Sequence, residues 1–234
     1  MQLSFETHRK SRPYTMGTLY WQLNDVWPVA SWSSMDYLNN WKALHYQVKR
    51  SFANVILAPE YYHNSFSLYL ISDSLKSLKA NAEIRIMDFN GKELRKINVP
   101  VSMEANSSRL IFEKTAKEMT AGIDTTNAVC VMKLTQGKKV LTTNYCYFAA
   151  AKNLNLPRAA ITRKITPTST GYTVELSSDK FARYVFLSID KQGFFSDNYF
   201  NIMPGEKKTI TFTTAQKPAS FEKDLRIMSL VDTY

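Results

Sequence analysis

Cysteine is scarce in this chain: two residues in 234, Cys130 and Cys146. Two thiols cannot make the disulfide framework that staples small secreted domains, so packing must hold the fold. They flank the turn-like Gln136-Gly137-Lys138-Lys139 stretch. A hairpin there sets them nearly opposite each other on neighbouring strands, a geometry that suits a disulfide poorly. Zinc is excluded too, because His8, His45 and His63 lie far from both thiols and show no ligand spacing. No apolar run approaches the roughly 20 residues of a membrane helix. The opening Met1–Thr15 lacks the apolar centre of a signal peptide, so an exported parent would carry its address elsewhere. The net charge is +10, yet no basic run exceeds two residues. Lysine and arginine are interleaved with acids, which reads as a solvated surface and not as a phosphate-binding stripe. Neither nucleic acid nor a membrane is an expected partner, and no metal or cofactor is expected.

Tryptophan is absent beyond residue 41. All four indoles, Trp21, Trp27, Trp32 and Trp41, fall between Gly17 and Tyr46. Such a cluster marks either a dense core corner or the wall of a binding site. Around it, residues 2–12 read as a helix stopped by Pro13. Residues 16–23 are apolar without alternation, the pattern of a strand buried on both faces. Residues 25–39 read as loop. Residues 41–52 place Trp41, Leu44, Val48 and Phe52 on one helical stripe, with Asn40 available as cap. A strand buried on both faces needs neighbours, and residues 1–52 supply none.

Beyond Phe52 the period changes to two. About seven strands are expected between residues 53 and 148, separated by turns at Asn90–Gly91, Ala121–Gly122 and Gln136–Gly137, the count of an immunoglobulin-like sandwich. After the Ala149–Ala159 linker, six more are expected in residues 149–234, with turns at Gly171, Gly193 and Pro204–Gly205. Tyr61, Tyr62, Phe194, Phe195 and Tyr199 read as filler for seams between domains, or as a platform for stacking sugars.

The segment Met16–Tyr46 resembles the last strand–loop–helix of the catalytic (β/α)8 barrel in β-mannosidases of glycoside hydrolase family 2. The family pattern is matched at Gly17, Trp21 to Asp25, Trp27–Pro28, Ser31–Trp32, Asp36–Tyr37 and Trp41–Lys42. Downstream, Phe194–Phe212 resembles the Ser-Asp-Asn-x-Phe and Pro-Gly-Glu segments of the family's last sandwich. The resemblance implies a mostly β chain: the last strand–helix unit of a barrel in residues 1–52, then immunoglobulin-like β-sandwiches at 53–148 and 149–234.

It also implies that the parent is a retaining exo-β-mannosidase, exported, and acting on a β-mannoside or mannan-derived oligosaccharide. Its two catalytic glutamates would sit on earlier barrel strands, the acid/base directly after an asparagine. This chain contains no Asn-Glu dipeptide, so no catalytic residue is expected in it and the chain alone should be inactive. Trp21 is expected to stack on the sugar at the C-terminal end of the last strand. Asn24 and Asp25 either contact sugar hydroxyls or only satisfy loop backbone. Trp27 and Trp32 read as loop anchors or as lining for the aglycone side of the pocket, Trp41 as packing, Asp36 and Tyr37 as loop fixtures, and Lys42 as a surface residue. The alternatives are a free-standing carbohydrate-binding or structural sandwich module and a related exo-glucosaminidase. Cut from a barrel, residues 1–52 would fold back onto the first sandwich or mediate self-association.

Overall fold

The computed structural model describes residues 1–216 and 220–234. The chain divides into two compact units, one made of residues 1–21, 47–88 and 92–155, the other of 22–46, 89–91 and 156–234.

In the first unit, β1 (Val55–Tyr62), β2 (Ser65–Ser72) and β5 (Ser107–Thr115) form one antiparallel sheet in the order β1-β2-β5. β3 (Leu78–Asp88), β4 (Glu93–Met103), β6 (Ala128–Gln136) and β7 (Lys139–Cys146) form another in the order β4-β3-β6-β7. Alternation puts Ala82, Ile84 and Ile86 of β3 on one face, and they share a core with Leu57, Phe66, Leu68 and Leu70 from the other sheet. The short α3 (Ala116–Thr120) opens with a capping box between Thr115 and Glu118 and buries Met119 in the same core. Seven strands were expected here and seven form. Cys130 and Cys146 are direct partners across β6 and β7, and both are free thiols. Burial pushes the Cys146 thiol up to about 12 and raises Cys130 as well, so neither is a ready nucleophile.

The front of the chain lies against this unit. α1 (Gln2–Lys10) packs on β1, β2 and β5. Phe5 is buried against the Phe52 ring, 5.2 Å away, and near Tyr20. Arg9 donates to Asp73 at 2.8 Å and to the Ser51 carbonyl, and Arg12 joins the same carboxylate. Residues 16–23, however, form no strand, and Leu19 and Trp21 are 98% and 77% exposed. A strand exists only through its ladder partners. Among the described residues the one bridge near this stretch is Asn24 with Met35. The apolar run that reads as doubly buried is therefore solvent-facing here.

α2 (Ala43–Ser51) begins two residues later than the stripe suggests, because the Asn40 side chain is bonded to Asp36. Its buried positions are Tyr46, Val48 and Ser51, while Phe52 stays 41% exposed.

In the second unit, β8 (Ile161–Thr168), β9 (Gly171–Ser178), β13 (Lys208–Thr213) and β11 (Phe194–Phe195) form an antiparallel sheet in the order β11-β13-β9-β8. β12 (Phe200–Ile202), β10 (Ala182–Ser188) and β14 (Arg226–Met228) form the other in the order β12-β10-β14. Val174, Leu176, Leu187, Ile210 and Phe212 make the core, and α4 (Phe221–Asp224) stacks Phe221 on Tyr172 at 4.0 Å. β11 is the one strand the sequence pattern missed, since two residues show no period.

One buried acid in the first unit sets a pH dependence. Glu6 is 5% exposed and accepts from the Gln2 and Asn144 amides at 2.9 and 3.1 Å. Burial raises its carboxyl to about 7, against the opposing pull of those amides and of Arg9. The folded state then holds a proton that the unfolded state releases at lower pH. Stability should fall as pH rises from about 4.5 to about 7, by on the order of 3 kcal/mol for this group. Glu6→Gln should flatten that decline in denaturant titrations at pH 5 and pH 8. An unchanged slope would show that Glu6 ionises normally.

Candidate functional site

The loop between the Trp21 segment and α2 is organised by one carboxylate. Asp25 is buried, and both its oxygens are occupied. Ser31 Oγ donates to Oδ1 at 2.5 Å, while Ser33 Oγ and Lys42 Nζ donate to Oδ2 at 2.8 and 3.0 Å. The Ser31 hydrogen bond, with those of Lys42 and Ser33, holds the Asp25 carboxyl down to about 2. Lys42 also donates to Ser33 Oγ at 2.8 Å, so it is a strut and not the plain surface residue that its sequence context suggests.

Backbone bonds complete the frame. Asp25 N donates to the Met35 carbonyl, Met35 N to Leu23 and Ser34 N to Gln22. Ser34 Oγ donates to the Leu23 carbonyl and lies 3.1 Å from His45 Nδ1. Asp36 fixes the following turn as expected, accepting from Leu38 N and Asn40 N, both at 2.8 Å.

The three sequence-derived site residues part company. Asn24 and Asp25 fall in this frame, with Asn24 exposed and its amide donating to the Asp25 carbonyl at 3.2 Å. Trp21 belongs to the other compact unit and is solvent-facing. Trp27 and Trp32 are 62% and 70% exposed, so they do not anchor the loop; the polar network does. Trp41 packs as expected, with Tyr46 and Phe194 each 5.5 Å from its ring.

A second stretch, Ser196-Asp197-Asn198, is also built by a buried polar side chain. Asn198 is 3% exposed and clips the β10 backbone twice: Leu187 N donates to its Oδ1, and its Nδ2 donates to the Leu187 carbonyl, both at 2.8 Å. The same Oδ1 accepts from Tyr199 N at 3.0 Å. Asn198 thus replaces a missing strand partner and holds Tyr199 at a φ of 53°, a backbone state that bulky residues avoid. Sequence reasoning named Tyr199, and met Ser31 and Asn198 only as parts of matched family segments, without the structural roles seen here; it did not single out Ser33. Their signal, small polar residues beside aromatics, is shared by any loop.

Comparison with known proteins shows the family. Residues 64–153 match the family described as mannosidase Ig/CBM-like domain, and residues 156–233 match a mannosidase Ig-fold domain. The chain is 31% identical, over 98% of its length, to the β-mannosidase of Capra hircus. It carries the Ig-like domains of glycoside hydrolase family 2 β-mannosidases. β-Mannosidase A of Aspergillus flavus is 29% identical over 86% of the chain. Among solved structures, a β-D-mannosidase from Dictyoglomus thermophilum superposes with a TM-score of 0.86 at 28% identity, covering 98% of this chain. An exo-chitosanase from Amycolatopsis orientalis, 19% identical with a TM-score of 0.75 over 97% of the chain, shares the fold. The chain spans 28% of the goat enzyme, 24% of the fungal one, and 28% and 32% of the two solved chains. Among the described residues no group of His, Cys, Asp and Glu is arranged to hold a metal ion, and no helix is long and apolar enough to cross a membrane.

The Asp25 network carries a pH signature opposite to that of Glu6. A carboxyl held low contributes stability above its unfolded pKa of about 4 and loses it as pH falls towards about 2. Asp25→Asn should therefore lower the melting temperature at pH 7, and its difference from the parent chain should shrink as pH drops through that window. A variant equally destabilised at pH 7 and pH 2.5 would mean that the hydrogen-bond shape, and not the charge, holds the loop.

Proposed function

We propose that this chain is the C-terminal part of a retaining exo-β-mannosidase that hydrolyses terminal β-D-mannosides. The observation that carries the reading is the spaced run from Gly17 to Lys42, continuous with a β-mannosidase likeness over 98% of the chain. In this reading residues 1–52 are the last unit of the catalytic barrel, and 53–148 and 149–234 are its accessory sandwiches. The rest of the parent supplies both glutamates, one as nucleophile and one as acid/base, and the chain supplies a wall of the sugar subsite.

Trp21 is the stacking residue of that wall. A large indole exposed at the end of an extended apolar segment matches a surface meant to meet a ligand. Asn24 presents its exposed amide to sugar hydroxyls. Asp25 is a positioning residue, since its oxygens are spent on Ser31, Ser33 and Lys42. The exposed apolar side chains of residues 14–32, Leu19 and Trp27 among them, are the surface that the remaining barrel covers, and in its absence they favour self-association.

Two measurements test this. The isolated chain should hydrolyse an aryl β-mannoside no faster than background; turnover that survives repurification would contradict the reading. In the full-length enzyme, Trp21→Ala should lower kcat/KM for the same substrate by about 5- to 150-fold, equivalent to about 1–3 kcal/mol of lost stacking. Trp41→Ala should lower thermal stability with kcat/KM nearly intact. Equal loss of stability with unchanged kinetics in both variants would make the tryptophans packing residues.

A further inference from the structure

The second unit contains an open cleft of about 680 Å3, to whose wall the loop frame contributes Asp36, Trp41 and Lys42 and the Asn198 stretch contributes Tyr199. Its size falls in the range of small-molecule sites. Every lining residue belongs to this one unit. Leu187 and Phe212, both 1% exposed, line it from the core. Two aromatic pairs line it as well: Trp41 with Phe194, ring centres 5.5 Å apart, and Phe186 stacked on Tyr199 at 4.8 Å. Phe194 is nonetheless 46% exposed, although a phenyl ring beside an apolar core would ordinarily be buried.

Two local devices hold these rings in place. Gly193 lets the 190–194 loop lie directly on Phe212: an added Cβ would come within 2.3 Å of that ring and 2.7 Å of the Thr213 carbonyl. Asn198 imposes the unfavourable backbone state of Tyr199. Strained bulky residues persist where the surroundings over-determine them, and they gather at binding sites.

The polar lining decides the ligand class. Asp36 and Asp190 stand against Lys191, while Lys42 is already paired with Asp25, so the cleft carries at most a slight negative charge on a chain of net charge +10. That disfavours an anion, which would be drawn to the basic surface elsewhere. Aromatic faces with a rim of carboxylate, ammonium and amide groups suit a neutral polyol, whose C–H faces stack on rings while its hydroxyls both donate and accept. Lys42 donates to Asp25, so the cleft wall and the loop frame are one hydrogen-bonded structure.

We propose that this cleft is a second carbohydrate-binding site, which takes a neutral β-linked manno-oligosaccharide through stacking on Phe194 and Tyr199 and hydrogen bonds to Asp190 and Gln192. The choice of mannose rests on the proposed function; the cleft and its preference for neutral sugar do not.

Titration of the 234-residue chain with β-1,4-mannotriose and with cellotriose, followed by ligand-observed NMR and calorimetry, separates the two parts. Mannotriose should bind, and Phe194→Ala and Asp190→Ala should each weaken it by about three- to tenfold, with circular dichroism showing both variants folded. Tyr62→Ala, which removes an exposed aromatic of the other unit, should leave the affinity unchanged. Binding of neither sugar, or binding insensitive to Phe194→Ala and Asp190→Ala, would overturn the site and leave the catalytic reading standing. Binding of cellotriose alone would overturn the mannoside assignment while upholding the cleft.

Discussion

The Asp25 carboxylate is the point on which the front half of the second unit depends. It is reached by Ser31, Ser33 and Lys42 from along a loop with few buried apolar side chains. A loop whose indoles face solvent cannot be held by the hydrophobic effect, so charge-assisted hydrogen bonds must hold it. Through Lys42 the carboxylate also ties down the residue beside Trp41, just before α2. The polar frame is thus upstream of the aromatic one: disturb Asp25 and the cleft wall moves with it.

Asn198 performs the same service on the other wall. A buried side-chain amide that bonds both the N–H and the C=O of Leu187 behaves like a piece of strand, and satisfies backbone groups that β12, only three residues long, leaves open. In both places a buried polar residue places aromatic ones. Tyr199 and Trp41 also pack against the core of the unit, while Phe194 keeps 46% of its surface exposed beside them.

The sandwiches were legible in the sequence because a period of two survives in strands with one buried face. Ala82, Ile84 and Ile86 announce β3, and Val174 with Leu176 announce β9. β11 escaped because Phe194–Phe195 is too short to show any period. Residues 16–23 were misjudged for a different reason. An apolar run of this length reads as a covered strand, but a strand also needs ladder partners, and among the described residues none pairs with residues 16–23. Lys42 was misjudged because a lysine at a helix start looks solvated until its partner, 17 residues away, is folded beside it. Trp27 and Trp32 show the converse error, since size alone does not earn an indole a buried place.

The central proposal is that the Trp21 segment pairs as a barrel strand in a full-length parent enzyme. Hydrogen exchange resolved at residues 16–23 tests it most directly, in the 234-residue chain and in the full-length enzyme. The account predicts near-intrinsic exchange in the chain alone, beside slow exchange in β3, and a slowing of at least about a hundredfold once the upstream barrel is present. Slow exchange at residues 16–23 in the isolated chain, or no slowing in the full-length enzyme, would contradict it.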